Sequence, residues 1–101
     1  TFYISGQLPI CPQTGEIPVS FDHQVDQAMQ NLKAVLSTVG MDFSNVIKLT
    51  IFLVNVGVSM VVANQVCSQY FKKGRFPACT VIATKSLPRL VGVQIEAIAV
   101  R

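Results

Sequence analysis

Two kinds of hydrophobic pattern alternate along the chain, and they predict two helices among four strands. Apolar residues recur at helical spacing from Val25 to Val39, where Ser20 or Asp22 can cap the start and Gly40 can end the helix. A second helical pattern runs from Ser59 to Lys73. The predicted strands are rich in β-branched and aromatic residues, and they are Thr1–Gln7, Val46–Val54, Cys79–Lys85 and Val91–Val100.

Proline and glycine mark the connections between these elements. They predict a loop over residues 8–20, a connection over Asn55–Val58 and a turn over Ser86–Leu90. The order strand, helix, strand, helix, strand, strand predicts an α/β (α+β) fold in which two helices cover one face of a mixed sheet. The chain has 101 residues, which predicts a single domain over residues 1–101.

The composition excludes a disordered chain and points to an oligomer. Half of the residues are hydrophobic and only 13% are charged, whereas about 25% is typical of globular domains. So few charges leave apolar surface that a small domain buries against another copy. The uncovered face of the sheet is the expected contact surface.

The cysteines indicate the cellular compartment of the protein, and the apolar run in the middle of the chain raises the question of a membrane-spanning segment. Cys11, Cys67 and Cys79 contain no CxxC pair, so neither a disulfide framework nor a zinc site is predicted, and free thiols favour the cytoplasm. The stretch from Leu49 to Phe71 carries no charge and is long enough to span a bilayer. Several Asn, Gln and Ser residues interrupt it, which favours a strand, a turn and a helix.

One local cluster of basic residues, Lys72, Lys73 and Arg75, surrounds Gly74 next to three aromatic side chains. Aromatic residues among basic ones can bind single-stranded nucleic acid. We favour a charged helix end that Gly74 terminates, because cations stabilise the carboxyl end of a helix. The net charge of +3 is small, so nucleic acid is not the expected partner.

Glu96 is the most informative candidate for chemistry, because it is a carboxylate in an otherwise apolar strand. Such a group is costly to bury unless it is paired, so it either activates a water molecule or lies at an exposed edge or in a structural ion pair. Ser5 and Gly6 end the first strand, where they can receive an anionic group or simply terminate the strand. His23 is expected to be a surface residue, and Cys79 a buried free thiol rather than a nucleophile.

Several segments in order along the chain resemble the Rid family (YjgF-like, reactive intermediate deaminases). The segments are ISGQLP at Ile4–Pro9, QTGEI at Gln13–Ile17, VIKLTIFL at Val46–Leu53, ANQVCSQYF at Ala63–Phe71, RFPACT at Arg75–Thr80 and SLPRLVGVQIEAIAVR at Ser86–Arg101. The resemblance implies a chorismate-mutase-like fold and a homotrimer whose sheets form a central barrel, with ligand clefts between subunits. Some relatives are also described as ribonucleases or translation inhibitors.

The resemblance also implies an activity and a set of site residues. Rid deaminases hydrolyse enamines and imines, such as 2-aminoacrylate and 2-iminopropanoate, to 2-oxo acids and ammonia, without a cofactor or metal. Glu96 matches the carboxylate that orients the attacking water, and residues matching Ser5, Gly6 and Asn64 line the cleft. Cys79 stands at the substrate-binding position where the deaminases carry the Arg of an FPAR motif.

Two departures from the family pattern leave the activity open. A thiol at Cys79 lacks the charge and paired donors of a guanidinium, with Arg75 or Arg89 as conceivable substitutes. The family's N-terminal GPYSQ segment, which supplies a tyrosine to the cleft, is not part of residues 1–101. The alternatives to a deaminase are a non-catalytic homotrimer that binds a small metabolite or acts as a holdase, and a ribonuclease.

Overall fold

The strands form one mixed sheet in a computed structural model, which describes residues 1–55 and 57–101. Within these residues the elements follow the predicted order, and they are β1 (Phe2–Gln7), α1 (Phe21–Ser37), β2 (Val46–Leu53), α2 (Gly57–Ser68), β3 (Ala78–Ala83) and β4 (Val93–Ala99), with short 3₁₀ turns at Phe43–Asn45 and Pro88–Leu90. The strand order is β1-β4-β2-β3. β4 is antiparallel to both β1 and β2, while β2 and β3 are parallel. The predicted mixed sheet with two helices is confirmed.

Side chains of β4 alternate between the two faces of the sheet. Along β4, Val93, Ile95, Ala97 and Ala99 are buried, and the residues between them are only partly buried. The buried face of the sheet packs with the apolar stripe of α1, which includes Val25, Ala28, Met29, Leu32 and Leu36, in one hydrophobic core. The opposite face carries exposed or half-buried side chains, and it is the face that holds Glu96.

The first helix ends as the sequence predicts. Ser20 occupies the N-cap position with extended backbone angles, although its hydroxyl bonds to Nδ1 of His23 at 2.7 Å instead of capping a backbone amide. Gly40 adopts a φ of 69°, the left-handed conformation that glycine tolerates without strain. His23 is exposed, which confirms that it is a surface residue.

The second helix differs from the prediction at both ends. Gly57 is already helical, and the predicted connection over Asn55–Val58 includes Val56, which lies outside the described residues. The helix ends at Ser68 rather than Lys73, because the following amides bond to carbonyls three residues back instead of four. The basic cluster therefore does not end a helix, and our interpretation of it as a charged helix end is wrong.

This early end of α2 brings aromatic rings together. Tyr70 and Phe71 pack against Phe43, with ring centroids 5.1 Å and 5.4 Å apart respectively. The Tyr70 hydroxyl donates to the carboxylate of Asp26 on α1 and accepts a 2.9 Å hydrogen bond from the Gln30 amide. Burial and the Asp26 carboxylate raise the pKa of Tyr70 to about 12, so the phenol keeps its proton. These contacts join α1 and the Phe43–Asn45 turn to the segment that follows α2.

The helices of residues 1–55 and 57–101 include none that is both long enough and apolar enough to cross a membrane. The predicted strand and helix within Leu49–Phe71 are confirmed as β2 and α2.

Candidate active site

A bulge in β1 places two of the candidate residues beside Glu96. Ile4 is opposite Ala97 and Gln7 is opposite Ile95, so Ser5 and Gly6 together face Glu96 alone. A Cβ atom at Gly6 would lie 2.0 Å from Nε2 of Gln94, so a larger residue here would displace the Gln94 side chain. The bulge thus places the exposed Ser5 hydroxyl and the Gly6 backbone, which carries no side chain, next to the Glu96 carboxylate.

Polar residues continue from Glu96 across the rest of the sheet. Glu96 is directly opposite Thr50 on β2, and Thr50 is opposite Thr80 on β3. Directly opposed residues in a sheet have Cβ atoms about 4.5–5.5 Å apart. Ser5, Glu96, Thr50 and Thr80 therefore form a polar row across all the strands, on the face that the helices leave uncovered.

A cation lies next to this row. The Lys48 ammonium donates to the Thr80 hydroxyl and, at 3.4 Å, to the carbonyl oxygen of Leu49. Lys48 is opposite Ile98, which makes it the diagonal neighbour of Glu96 on the same face. Diagonal neighbours have Cα atoms about 7–8 Å apart, within reach of long side chains. The face thus carries a carboxylate, an ammonium and hydroxyl groups at neighbouring positions of the sheet.

Glu96 is in the interior of the sheet and is half-buried. Its strand, β4, is paired on both sides, so the alternative that Glu96 occupies an exposed edge is wrong. The alternation that predicted its face is confirmed, because its neighbours Ile95 and Ala97 point into the core.

The other two candidate residues lie together on the opposite side of the sheet. Asn64 of α2 and Cys79 of β3 line a cavity of about 230 Å³. The wall is otherwise mostly apolar and includes Leu49, Ile51, Cys67, Ser68, Phe71, Phe76 and Pro77. Within one chain the predicted residues therefore form two groups: Ser5, Gly6 and Glu96 on the open face, and Asn64 with Cys79 at the β3 edge.

The thiols in this cavity stay protonated at neutral pH. Burial, and to a lesser extent the nearby Cys79, raises the pKa of Cys67 to about 12. Burial also raises the pKa of Cys79, against a smaller opposing effect of the Lys48 charge. A protonated thiol is a poor nucleophile, which agrees with the expectation that Cys79 is not one. Its residue is exposed, however, so the expectation of a buried side chain is wrong: β3 is an edge strand, and no strand among the described residues pairs with its outer side.

Comparison with known proteins identifies the family. The family model described as endoribonuclease L-PSP matches residues 1–101. This chain belongs to the Rid (YjgF/RidA) family.

Relatives with established names agree with this Rid assignment. The 2-iminobutanoate/2-iminopropanoate deaminase of Escherichia coli K12 is 33% identical over 99 residues, which covers 96% of this chain and 77% of that protein. Solved structures of E. coli TdcF with bound serine and of RidA from the Antarctic bacterium Psychrobacter sp. PAMC 21119 each match with a TM-score of 0.92. They are 36% and 30% identical, and each match covers 98% of this chain and 79% of the other. The names of these relatives indicate deamination of reactive intermediates at the level of the family.

Neither arginine that sequence reasoning offered in place of the Rid arginine lines the cavity of Cys79. Arg75 lines a second cavity near the end of α2. Arg89 is exposed in the turn before β4, with a φ of 61°. The arrangement reveals instead Lys48, whose charge reaches Cys79 and whose ammonium lies beside the polar row.

Sequence reasoning missed Lys48, Thr50 and Thr80 as site residues. The available signal was the alternation in VIKLTIFL, which places Lys48 and Thr50 on one face of β2. That signal did not show that this face also holds Glu96, because the pairing of β2 with β4 joins residues far apart in the chain. Within the described part of the chain, no group of three or more His, Cys, Asp or Glu side chains is arranged to hold a metal ion.

Proposed function

We propose that this Rid protein hydrolyses 2-imino acids, and the enamines that tautomerise to them, to 2-oxo acids and ammonia. The observation that carries the proposal is the position of Glu96 within the polar row, with the Ser5–Gly6 bulge on one side and Thr50 on the other. A carboxylate held next to hydroxyl groups is suited to bind and orient a water molecule. The named deaminase among the relatives supports the same reaction class.

The reaction needs one water molecule and returns every proton. Glu96 accepts a proton from water as the water oxygen bonds to C2 of the imine and the C=N π electrons move to nitrogen, and Glu96 then gives this proton to the nitrogen. In the resulting carbinolamine, Glu96 transfers the hydroxyl proton to the amino nitrogen, the C2–N bond breaks to release ammonia, and C2 becomes the carbonyl carbon of the 2-oxo acid. Glu96 ends the cycle as a carboxylate, ready for the next water molecule.

Lys48 takes the substrate carboxylate in this proposal. Lys48 is the diagonal neighbour of Glu96 on the same face, so a small acid whose carboxylate and C2 atom are adjacent can reach both side chains. Cys79 offers no charge, so the cation must come from elsewhere on the chain. The serine bound to TdcF also carries a carboxylate, which supports an acid as ligand of this fold.

We propose further that the site is completed between copies in a homotrimer. Asn64 and Cys79 lie at the β3 edge, whereas Ser5 and Gly6 lie on β1, the opposite edge of the sheet. A neighbouring copy can bring its own β3 edge next to the Ser5–Gly6 bulge, which one chain cannot do. Exposed apolar side chains on the open face, such as Tyr3 and Ile82, would be covered by the same contact.

Light scattering should give three times the mass of the chain, and a fully active monomer would contradict the shared site.

The direct test is the release of ammonia and 2-oxo acid from freshly generated 2-iminopropanoate. We expect a rate well above that of the buffer alone and of an equal concentration of an unrelated protein. A rate equal to the buffer blank would exclude this substrate. If that inactive protein still bound pyruvate, the alternative of a metabolite-binding homotrimer would be favoured, for which the neutral thiol of Cys79 is the supporting observation.

Replacing Cys79 by arginine tests whether the family arginine can be restored. We expect Cys79→Arg to raise kcat/KM for 2-iminopropanoate about tenfold, since one hydrogen bond to a charged group contributes about 1.5–3 kcal/mol. Cys79→Met is the matched control for size without charge and should leave kcat/KM within a factor of about two. A Cys79→Arg protein that folds and has unchanged kcat/KM would show that the ligand carboxylate does not reach this edge.

A further inference from the structure

A second and larger cavity lies at the end of α2, next to the 3₁₀ turn at Phe43–Asn45. Its volume is about 630 Å³, within the range of about 300–1,000 Å³ that is usual for small-molecule sites. Glu96, Asn64 and Cys79 are not among the residues that line it. It shares only the wall of Phe71, Phe76 and Pro77 with the cavity of Cys79, so it is separate from the proposed catalytic residues.

Aromatic side chains form much of this cavity. Phe43, Tyr70, Phe71 and Phe76 all line it, and the Phe43 ring contacts those of Tyr70 and Phe71. The Phe71 and Phe76 rings are 6.4 Å apart between centroids, in addition to the contacts of Phe43 described above. Phe76 is 55% exposed, and an exposed aromatic ring at a cavity wall is available to pack against a planar ligand.

A tight turn holds two cations at the rim. The Arg75 amide donates a 2.9 Å hydrogen bond to the Lys72 carbonyl, which closes a turn of four residues. Gly74 is its third residue, with a φ of 81° that glycine adopts without strain. The Cα atoms of Lys72 and Arg75 are thereby within about 7 Å of each other, and both residues line the cavity. Lys73 is in the same turn and does not line the cavity.

The charges at this rim leave an excess of positive charge. Asp42 also lines the cavity, but Ser44 occupies one of its oxygens through its amide, at 2.8 Å, and its hydroxyl. These bonds, and the weaker effect of the Lys72 charge, hold the pKa of Asp42 below its usual range. One carboxylate thus faces two cations, and a guanidinium can bind an oxyanion through two parallel hydrogen bonds.

We propose that this cavity is a second binding site, which takes a small planar aromatic ligand bearing a carboxylate or phosphate. The ring packs among the Phe43, Tyr70 and Phe76 side chains, and the oxyanion binds Lys72 and Arg75. A neutral aromatic compound lacks the charged contacts, and inorganic phosphate lacks the ring, so each binds more weakly than a molecule with both. The site requires neither Glu96 nor the proposed hydrolysis.

Calorimetric titration with phenyl phosphate, phenol and inorganic phosphate tests the proposal on the whole chain. We expect phenyl phosphate to bind at least about tenfold more tightly than either part alone, because each part supplies only half of the contacts. Adenosine 5′-monophosphate and benzoate separate a nucleotide-sized ligand from a small aryl acid. Binding of either one supports an aromatic anion, and failure of all three aromatic anions would overturn the proposal.

The turn itself offers a matched set of variants with equal loss of charge. Lys72→Gln and Arg75→Gln should each weaken phenyl phosphate binding about tenfold, whereas Lys73→Gln should change it less than about twofold. Circular dichroism confirms that each variant is folded. Equal weakening by all three substitutions would show unspecific attraction to a basic loop and would overturn the proposal. Glu96→Gln should leave the affinity for phenyl phosphate unchanged. Loss of phenyl phosphate binding in that variant would place the ligand on the polar row instead.

Discussion

Replacing Glu96 by glutamine is expected to lower kcat for 2-iminopropanoate hydrolysis by a factor of about 10² to 10⁴. This is the usual contribution of a general base. Glutamine has nearly the same shape and can still hold a water molecule, but it cannot accept the proton that the water must lose. Because β4 is paired on both sides and the side chain is only half-buried, the sheet should tolerate the change. Initial rates of ammonia release at saturating substrate measure the effect.

Glu16→Gln is the matched control for this experiment. Glu16 is the other glutamate of the chain, and it is exposed in the loop between β1 and α1. The same chemical change there should leave kcat within a factor of about two. If Glu96→Gln kept its full rate while its thermal unfolding was normal, another group would have to activate the water. The proposed role of Glu96 would then be wrong.

Replacing Lys48 by methionine is expected to raise KM about ten- to hundredfold with a smaller effect on kcat. A hydrogen bond to a charged group contributes about 1.5–3 kcal/mol, and the substrate carboxylate is present in both the ground state and the transition state. Methionine keeps most of the aliphatic stem, so packing on the open face changes little. Lys48→Arg should recover a large part of the affinity, since the positive charge is kept.

Lys33→Met controls for the loss of one positive charge, because Lys33 is exposed on α1, away from the open face. It should leave KM unchanged at physiological salt, where distant exposed charges are screened. An unchanged KM in Lys48→Met would show that another residue or a neighbouring copy binds the carboxylate. A fall in kcat alone would instead indicate that Lys48 acts through the position of Thr80, to which it donates.

The sequence predicts most accurately those elements in which the spacing of apolar residues shows directly which side chains are buried. The alternation in β4 predicted the face of Glu96, and the helical stripe of α1 predicted its buried side chains, because a residue's direction within one strand or helix follows from local geometry alone. The end of α2 was predicted less well. Helical spacing continues to Phe71, but contacts with Phe43 and Asp26, distant in the chain, favour a tighter turn after Ser68.

The sequence by itself determined the order of the elements, the open face of the sheet and, through the Rid resemblance, the candidates Ser5, Gly6, Asn64, Cys79 and Glu96. Only the tertiary structure decided which of them are neighbours. The β1 bulge sets Ser5 and Gly6 beside Glu96, and the pairing of β2 with β4 brings Lys48 and Thr50 to the same place. Strand register depends on pairing between segments far apart in the chain, which no local pattern specifies.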